Sequence, residues 1–547
     1  MNFRITSPLT KLRLSDKVAQ FPHYKSTNAL LGDRLYFSAV YDSEGLNAKQ
    51  AVRASVTVCS ELAPHINVYA VDHVPVRLPH YAASFDGDYI GHEPGLYPDV
   101  LRPTDTVHLQ PGQSGQLYFE LNVPKDVAAG TYPITVEILP EEGSEEAISA
   151  TLTVEILPEQ IPEQTITYTQ WFHYDCLASY YNVEIFSQRH WEIIENFMKT
   201  AVKTGINAIL TPVFTPPLDT AVGGERPTVQ LVDIKLKKGK YSFGFTKLKQ
   251  FCEMCRRVGV KELEIAHLFT QWGAEHAPKI MATVDGEYKR IFGWETDAAS
   301  RKYSDFLHAF LPVLIKKLNE YGYEGHYFFH ISDEPSKAHL ESYQRAKNTV
   351  WDLISSYPVR DALSHYEFYE NGIVKNPVPA IQSAHTFIQN NVPDLWVYYC
   401  CSPGSKASNR FIAMSANRTR VIGAQMYKAG VTGFLHWGYN FYYNRYSRGM
   451  INPFLITDGD FFSPAGDAFS VYPNTDGTPL LSLRAALFEQ ALFDMRAMAL
   501  AEQKAGKEAV VAAIDRCGAT DFTHYSLDPK HLLTLREEIN KMAAEKA

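Results

Sequence analysis

The chain changes character once, at Pro158-Glu-Gln-Ile-Pro-Glu-Gln164, and that change limits the folds open to it. Before it, the runs 52–59, 65–71, 116–123, 132–139 and 150–157 are rich in β-branched residues, partly alternate apolar with polar, and are separated by Gly, Pro, Asp and Asn. Such runs make half-buried strands, and helical periodicity is almost absent from them. A segment that offers only amphipathic strands buries them by packing sheets face to face, so an antiparallel β-sandwich is expected over residues 1–160. After the change, strands alternate with helices. Strands are expected at 165–172, 206–213, 260–268, 324–331, 362–368, 395–400 and 431–437, with helices at 189–204, 246–258, 301–321, 337–356 and 380–390. The helical stretch 409–429 hides either an eighth strand or a helix break before Val421. A polar insertion carries a hairpin that pairs 230–236 with 240–245.

Sequential strand–helix units of this number fit a (β/α)8 TIM-like barrel over residues 165–480 better than a doubly wound sheet. No G-x-G-x-x-G follows the first of these strands and no G-x-x-x-x-G-K-[ST] occurs, so dinucleotide and P-loop readings lose their support. Helical segments at 480–503, 507–516 and 529–544 complete the outer ring and cap it, giving residues 481–547 as a C-terminal helical extension packing on the barrel.

Composition narrows the function. With 45% hydrophobic and 21% charged residues, large-scale disorder is ruled out. The net charge of −9, without a basic stripe, argues against nucleic acid as partner. No apolar stretch is long enough to span a bilayer, so no membrane partner is expected. No basic-then-apolar leader opens the chain, which gives a cytoplasmic expectation, although a secreted form trimmed of its signal would read the same. Seven scattered cysteines fit reduced thiols, and Cys252/Cys255 read as core thiols of one helix rather than a zinc site. No H-E-x-x-H or compact His–acid set occurs; neither metal nor cofactor is expected. The unusual quantity is 32 Tyr beside 30 Phe, which calls for surfaces apolar on one side and hydrogen-bonding on the other.

In a barrel the working residues lie at the C-terminal ends of strands. The clearest place is His330-Ile-Ser-Asp333-Glu334-Pro335, where two adjacent carboxyl groups leave an apolar strand. Burying such a pair is costly unless it faces a cleft, where one group can be ionised and the other protonated. The competing reading is a helix N-cap for the segment that follows.

Ser-Asp333-Glu334-Pro335 resembles the catalytic Asp-Glu pair of glycoside hydrolase family 123, the β-N-acetylgalactosaminidase family. Pro94-Gly-Leu-Tyr-Pro-Asp99-Val-Leu-Arg-Pro103 resembles a segment of its N-terminal sandwich, and Trp396-Val-Tyr398-Tyr-Cys400, Gly433-Phe-Leu-His-Trp437 and Gly466-Asp-Ala-Phe-Ser-Val-Tyr472-Pro resemble later barrel segments. The closing helix keeps a family-like Arg484 but has Ala where an acidic residue is common, and Asn474-Thr-Asp-Gly-Thr-Pro replaces a shorter Gly-rich turn. The resemblance implies hydrolysis of terminal β-linked N-acetylhexosamine, GalNAc favoured, by a retaining substrate-assisted mechanism. Glu334 would be the acid/base, and Asp333 would orient the 2-acetamido group.

A glycan or glycoconjugate is then the substrate partner, with the oligomeric state open. The acetamido pocket would draw on strand-end residues: Trp437 as apolar wall, Tyr398 as hydroxyl donor, and His436, Asn440, Tyr439, Tyr366, Trp171 and His173 around the sugar. The run 439–446, with four Tyr and one Phe, is expected to form a wall of the cleft.

Two alternatives stay open. A catalytically inactive glycan-binding protein would bind through that wall without cleavage. A conventional two-carboxylate retaining glycosidase needs a second carboxylate about 5–5.5 Å from the first. No Glu lies between Glu370 and Glu489, so a Glu nucleophile late in the barrel is excluded; Asp458, Asp460, Asp467, Glu367 and Glu370 remain candidates.

Overall fold

The computed structural model describes residues 1–44, 51–141 and 147–545, so the last two residues of the expected C-terminal extension lie outside the described residues. The chain is multidomain, with a sheet-rich N-terminal region and a helical C-terminal part. Two sheets make up the first region. One runs in the order Phe3–Thr6, Arg34–Asp42, Ser114–Asn122, Ile66–Val76 and Gly95–Pro103, all antiparallel. The other runs Ser26–Leu31, Ile148–Gln160, Gly130–Pro140, Val52–Cys59 and Thr106–Leu109. Its edge strand Ser26–Leu31 pairs parallel with Ile148–Gln160, a departure from the all-antiparallel expectation.

Alternation along the strands sorts the aromatics. Phe37 and Phe119 stack 4.6 Å apart inside the sandwich core. Their neighbours Tyr36 and Tyr118 point out of the opposite face into the core shared with the C-terminal part. There the Tyr36 hydroxyl donates to Glu489, and the Tyr118 hydroxyl accepts from Gln490 Nε2 at 2.8 Å. These two tyrosines are apolar rings whose hydroxyls satisfy polar groups of the facing helix.

The same sheet is extended from far along the chain. Pro479–Ser482 pairs antiparallel with Gly95–Pro103, and Val471–Pro473 pairs with Pro479–Ser482. The helix Leu483–Ala505 follows directly, and its Arg484 forms a bidentate pair with Asp99 at 2.9 and 2.8 Å, both side chains fully buried. Two of the motifs that carried the family resemblance thus meet in space. Removing one partner strands a buried charge, which costs about 3–5 kcal/mol. Arg484→Ala is therefore expected to lower the denaturant midpoint of unfolding by that amount of stability, and a change under 1 kcal/mol would refute the account.

The C-terminal part is built on parallel strands. Six form one sheet, a half-barrel, in the order Tyr327–Phe328, Glu262–Ile265, Ala208–Thr211, Thr167–Gln170, Gly433–His436 and Trp396–Tyr398. Arg360–Ala362 and Asn376–Val378 make a separate parallel pair. Single parallel bridges, Phe329 with Val359 and Ala380 with Tyr398, lie on its two sides.

Two expectations need correction here. The strand expected at 362–368 is Arg360–Ala362; residues 363–366 are irregular, and the short helix Glu367–Glu370 follows. The additional strand is Asn376–Val378; of the two alternatives before Val421 the helix break is the one found, between Ala416–Arg420 and Ile422–Ala429, while residues 409–415 are not helical. Pro377 and Pro379 hid that strand, because proline removes ladder donors and demotes a run to an edge or to no strand at all.

The insertion hairpin Asp233–Lys237/Lys240–Gly244 forms as expected, and a second hairpin, Ile280–Val284/Glu287–Phe292, extends it to four strands. Cys252 and Cys255 are buried on the helix Thr246–Val258. At the C-terminus, Pro529–Ala544 packs on Leu483–Ala505 and also on the sandwich strands Ser26–Leu31 and Ile148–Gln160, where Asn540 Nδ2 donates to Asn28 Oδ1 at 2.9 Å. Among the described residues no helix is long and apolar enough to cross a membrane.

Candidate active site

A cleft with about 710 Å³ of open space lies at the C-terminal ends of the parallel strands. Of the residues expected at the site, Trp171, Asp333, Glu334, Tyr398 and Trp437 line it. The Asp-Glu pair follows the short strand Tyr327–Phe328, whose continuation is fastened from its neighbour: Asp361 Oδ1 accepts the backbone N–H of Ile331 at 2.9 Å and of Ser332 at 3.3 Å. Pro335 then stops any ladder. Glu334 sits at φ 45°, in the left-handed region a non-glycine residue seldom adopts, and its N–H donates to Ala362 O at 2.9 Å.

Strain of this kind is gathered around the cleft. Asp219 (φ 40°), Trp272 (φ 58°) and Tyr446 (φ 62°) line it too. Each left-handed residue costs of order 1–3 kcal/mol and persists only where neighbours over-determine it, which is characteristic of working sites. The fastenings are visible. Trp272 N donates to Asp333 O at 2.8 Å, Tyr446 N to Asp219 Oδ2 at 3.1 Å, and Ser447 Oγ to Asp219 O at 2.7 Å.

The two carboxyl groups have different surroundings. The carboxyl of Asp333 receives no hydrogen bond from any described residue and faces the cleft. Burial, then the adjacent Glu334, holds its pKa well above the usual carboxylate range, with His330 opposing. Burial also raises Glu334, while the Tyr398 hydroxyl, donating to Glu334 Oε1 at 2.6 Å, pulls it back down. Two like charges this close share protons, so the pair titrates as a unit. Tyr398→Phe removes the bond that favours the Glu334 carboxylate. Its pKa then rises, so the alkaline limb of kcat/KM should move to higher pH. With roughly 1.5–3 kcal/mol lost from a hydrogen bond to a charged group, kcat should fall about tenfold or more. An unmoved alkaline limb would show that the bond does not tune the acid.

Below the pair lies a buried polar stack. Glu264 accepts from Trp171 Nε1 at 2.7 Å, from the Thr169 hydroxyl, and from His330 Nε2 at 2.7 Å. Burial opposes charge on His330, but Asp361 and Glu264 outweigh it and carry the imidazole up to about 9. His330 stacks on His267 at 4.2 Å, and the cation partly balances Asp333 above it.

Five expected residues lie elsewhere. His436 is fully buried, accepts Gly438 N–H at Nδ1 and places Nε2 3.3 Å from Asp467; burial first, then Arg410, lowers it to about 3. Asp467 in turn accepts Trp437 Nε1 at 3.1 Å, so His436 and Asp467 orient the Trp437 wall from behind. His173 bonds Trp437 O and Arg226 and is also lowered to about 3, by burial and that guanidinium. Asn440 clasps the backbone of His173 at both N–H and C=O. The Tyr439 hydroxyl is spent on Phe197 O, away from the cleft. Tyr366 packs on Phe387 and Tyr369.

The aromatic run is mostly core: Tyr439, Phe441, Tyr442 and Tyr443 are buried, and only Tyr446, with Arg445, reaches the cleft. The candidate second carboxylates do not line it either. Asp458 and Asp460 pair with Arg77, Glu367 with Lys337, and Glu370 lies exposed. The third carboxyl facing the cleft is Asp219, raised to about 6 by burial against the pull of Arg226 and its bond from Tyr446. It lies in the loop that follows the second parallel strand, a strand-end position whose acid carried no motif to mark it. Among the described residues no group of three His, Cys, Asp or Glu could hold a metal.

The family model of the glycoside hydrolase 123 catalytic domain matches residues 171–501, well over half of the chain and all of the cleft. The chain belongs to glycoside hydrolase family 123. This family 123 enzyme is similar in fold, over 99% of its length and 98% of the other chain, to a family 123 glycoside hydrolase from Clostridium perfringens, at 14% identity and a TM-score of 0.75. That enzyme was solved to describe the hydrolysis of glycolipid glycans. The N-terminal domain of PorA (10% identity, 28% of this chain and 97% of that one) and the periplasmic chaperone SfaE (5% identity, 31% and 66%) also match, but at TM-scores of 0.14 and 0.16 they carry no inference. No match was found among curated proteins. Family 123 membership makes the chain a glycosidase, with a glycan as substrate.

Proposed function

We propose that the cleft releases terminal β-linked N-acetylhexosamine, GalNAc in preference, from glycoconjugates of the kind the Clostridium perfringens enzyme acts on, with retention and with the substrate's own acetamido group as nucleophile. The observation that carries this reading is the placement of Asp333 and Glu334 side by side on one cleft wall, while Asp458, Asp460, Asp467, Glu367 and Glu370 do not line the cleft. In the first step the acetamido carbonyl oxygen attacks the anomeric carbon, and Glu334 gives its proton to the departing oxygen. Burial raises Glu334 and so favours the protonated form that this step needs. Asp333 accepts the acetamido N–H, which fixes the carbonyl for attack. Positive charge growing on the cyclised intermediate favours the ionised form of Asp333, against the burial that resists it. In the second step Glu334, now a carboxylate, takes a proton from water as the water oxygen attacks the anomeric carbon; the bond from that carbon to the acetamido oxygen breaks, which reopens the ring and restores the acetamido group with the β configuration retained.

Trp437 would wall the acetamido methyl and Trp171 the floor. We read the scaffold as a distorted (β/α)8 barrel, because the bridges flanking Arg360–Ala362 and Asn376–Val378 join that pair to both edges of the six-stranded sheet. The conventional two-carboxylate reading survives in one form, with Asp219 as nucleophile, because Asp219 faces the cleft. A screen of 4-nitrophenyl β-glycosides separates the readings. Cleavage of the N-acetylated sugars alone is expected, and equal cleavage of sugars lacking the acetamido group would overturn the assisted mechanism.

A further inference from the structure

Arg445 lines the cleft at its mouth, and its guanidinium lies 4.7 Å over the ring of Tyr446. Arg448 lies 5.4 Å over the same ring. Both are exposed, and among the described residues neither pairs with a carboxylate; the one polar contact of Arg445 is to the Tyr446 hydroxyl at 3.0 Å. Arg77, near the same loop, is by contrast committed to Asp458 and Asp460. Opposite Tyr446 stands Trp272, 38% exposed, its ring edge-on at 5.8 Å.

Both rings are held in left-handed backbone by bonds to the cleft's own acids, Trp272 to the Asp333 carbonyl and Tyr446 to the Asp219 carboxyl. Strain maintained at two bulky aromatics needs a function that rewards their position. An exposed ring such as Trp272 suits the C–H face of a sugar, and the guanidiniums stacked on Tyr446, which have no carboxylate partner among the described residues, suit a carboxylate or sulfate. On a chain with net charge −9, Arg445 lining the cleft and Arg448 stacked on the same tyrosine are a local reversal of sign.

We propose that Trp272, Tyr446, Arg445 and Arg448 form an acceptor-side subsite for a sugar bearing an anionic group, so that the preferred substrates are anionic glycans. This rests on the glycosidase reading of the cleft and deepens it. Asp219 feels the charge of Arg445, but among the described residues the two form no ion pair, and the Asp219 carboxyl accepts the Tyr446 N–H instead.

Three disaccharides test it: GalNAc-β-1,4-galactose, the same with a 6-O-sulfate on the galactose, and GalNAc-β-1,4-glucuronate. The wild-type enzyme should favour one or both anionic substrates in kcat/KM by about tenfold at low ionic strength, a preference that shrinks in 0.5 M NaCl as screening predicts. Preference for the sulfate alone or the glucuronate alone identifies the group recognised. Arg445→Gln with Arg448→Gln should bring the anionic-to-neutral ratio close to one, and that ratio, read within each variant, is insensitive to how much folded enzyme is present. Equal use of neutral and anionic substrates by the wild type, or a preference retained by the double variant, overturns the subsite. The same three compounds are titrated calorimetrically into the Glu334→Gln protein with and without the arginine substitutions. If none of them is hydrolysed, the glycosidase reading fails on turnover while the anionic subsite stands or falls on binding.

Discussion

Glu334→Gln should lower kcat by about 10²–10⁴-fold on substrates with a sugar aglycone, the range for removing a general acid/base. The fall should be smaller for 4-nitrophenyl β-GalNAc, because 4-nitrophenolate departs with little help from an acid. Gln keeps the shape of the side chain, and its amide oxygen can still accept the Tyr398 hydroxyl, so the loss should come without a comparable loss of stability. Azide supplies a sharper readout. It needs no deprotonation, so it can replace water in the second step and restore turnover of the aryl substrate. Attack on the cyclised intermediate gives the β-glycosyl azide. Were Glu334 itself the nucleophile, azide would attack the sugar directly and give the α-azide. The configuration of the product thus assigns the role of Glu334 independently of rate.

Which parts of this molecule were legible in the sequence follows from how each signal is encoded. The two-part organisation was readable because periodicity changes sharply at 158–164, and the long amphipathic helices Thr246–Val258 and Pro529–Ala544 have the bounds their spacing predicts. The strand Asn376–Val378 was not readable: it is three residues long, carries a proline, and is identifiable only by its neighbours. At the site, Asp333 and Glu334 stood out because adjacent acids at the end of an apolar strand are chemically expensive. Trp437 and Tyr398 were legible as aromatics at strand ends. His436, Tyr439 and Asn440 obeyed the same rule and yet face away or sit behind, because alternation within a four-residue strand and the path of the next loop decide which way they point. Asp219, Trp272 and Arg445 escaped for the opposite reason. They lie in irregular loops whose positions are set by left-handed turns and long-range bonds such as Trp272 N to Asp333 O, which no local pattern announces.

Asp333→Asn should reduce kcat on N-acetylated substrates by about 10²–10³-fold, the loss of one preorganised partner to a charge that develops in the transition state. KM should change little, since an amide can still contact the acetamido group in the ground state. The substitution separates the two carboxylate readings because Asp333 and Asp219 would act on different atoms. If the acetamido oxygen is the nucleophile, a thiazoline mimic of the cyclised intermediate should inhibit the wild type. Its affinity should then drop in Asp333→Asn by about 2.7–4 kcal/mol, in parallel with kcat, because the carboxylate that stabilises the cation is the one removed. Asp219→Asn would leave that inhibitor bound. If Asp219 is the nucleophile instead, Asp219→Asn should abolish turnover, and thiazoline affinity should be indifferent to Asp333. The electrostatics favour the first outcome. Among the described residues no group donates to the Asp333 carboxyl, and burial, then Glu334, raises it, so it gains more from an arriving positive charge than Asp219, which already holds a backbone N–H and lies toward the cation of Arg226. A carboxyl whose ionised form is opposed by burial and by a neighbouring acid is the one that a cationic intermediate stabilises most.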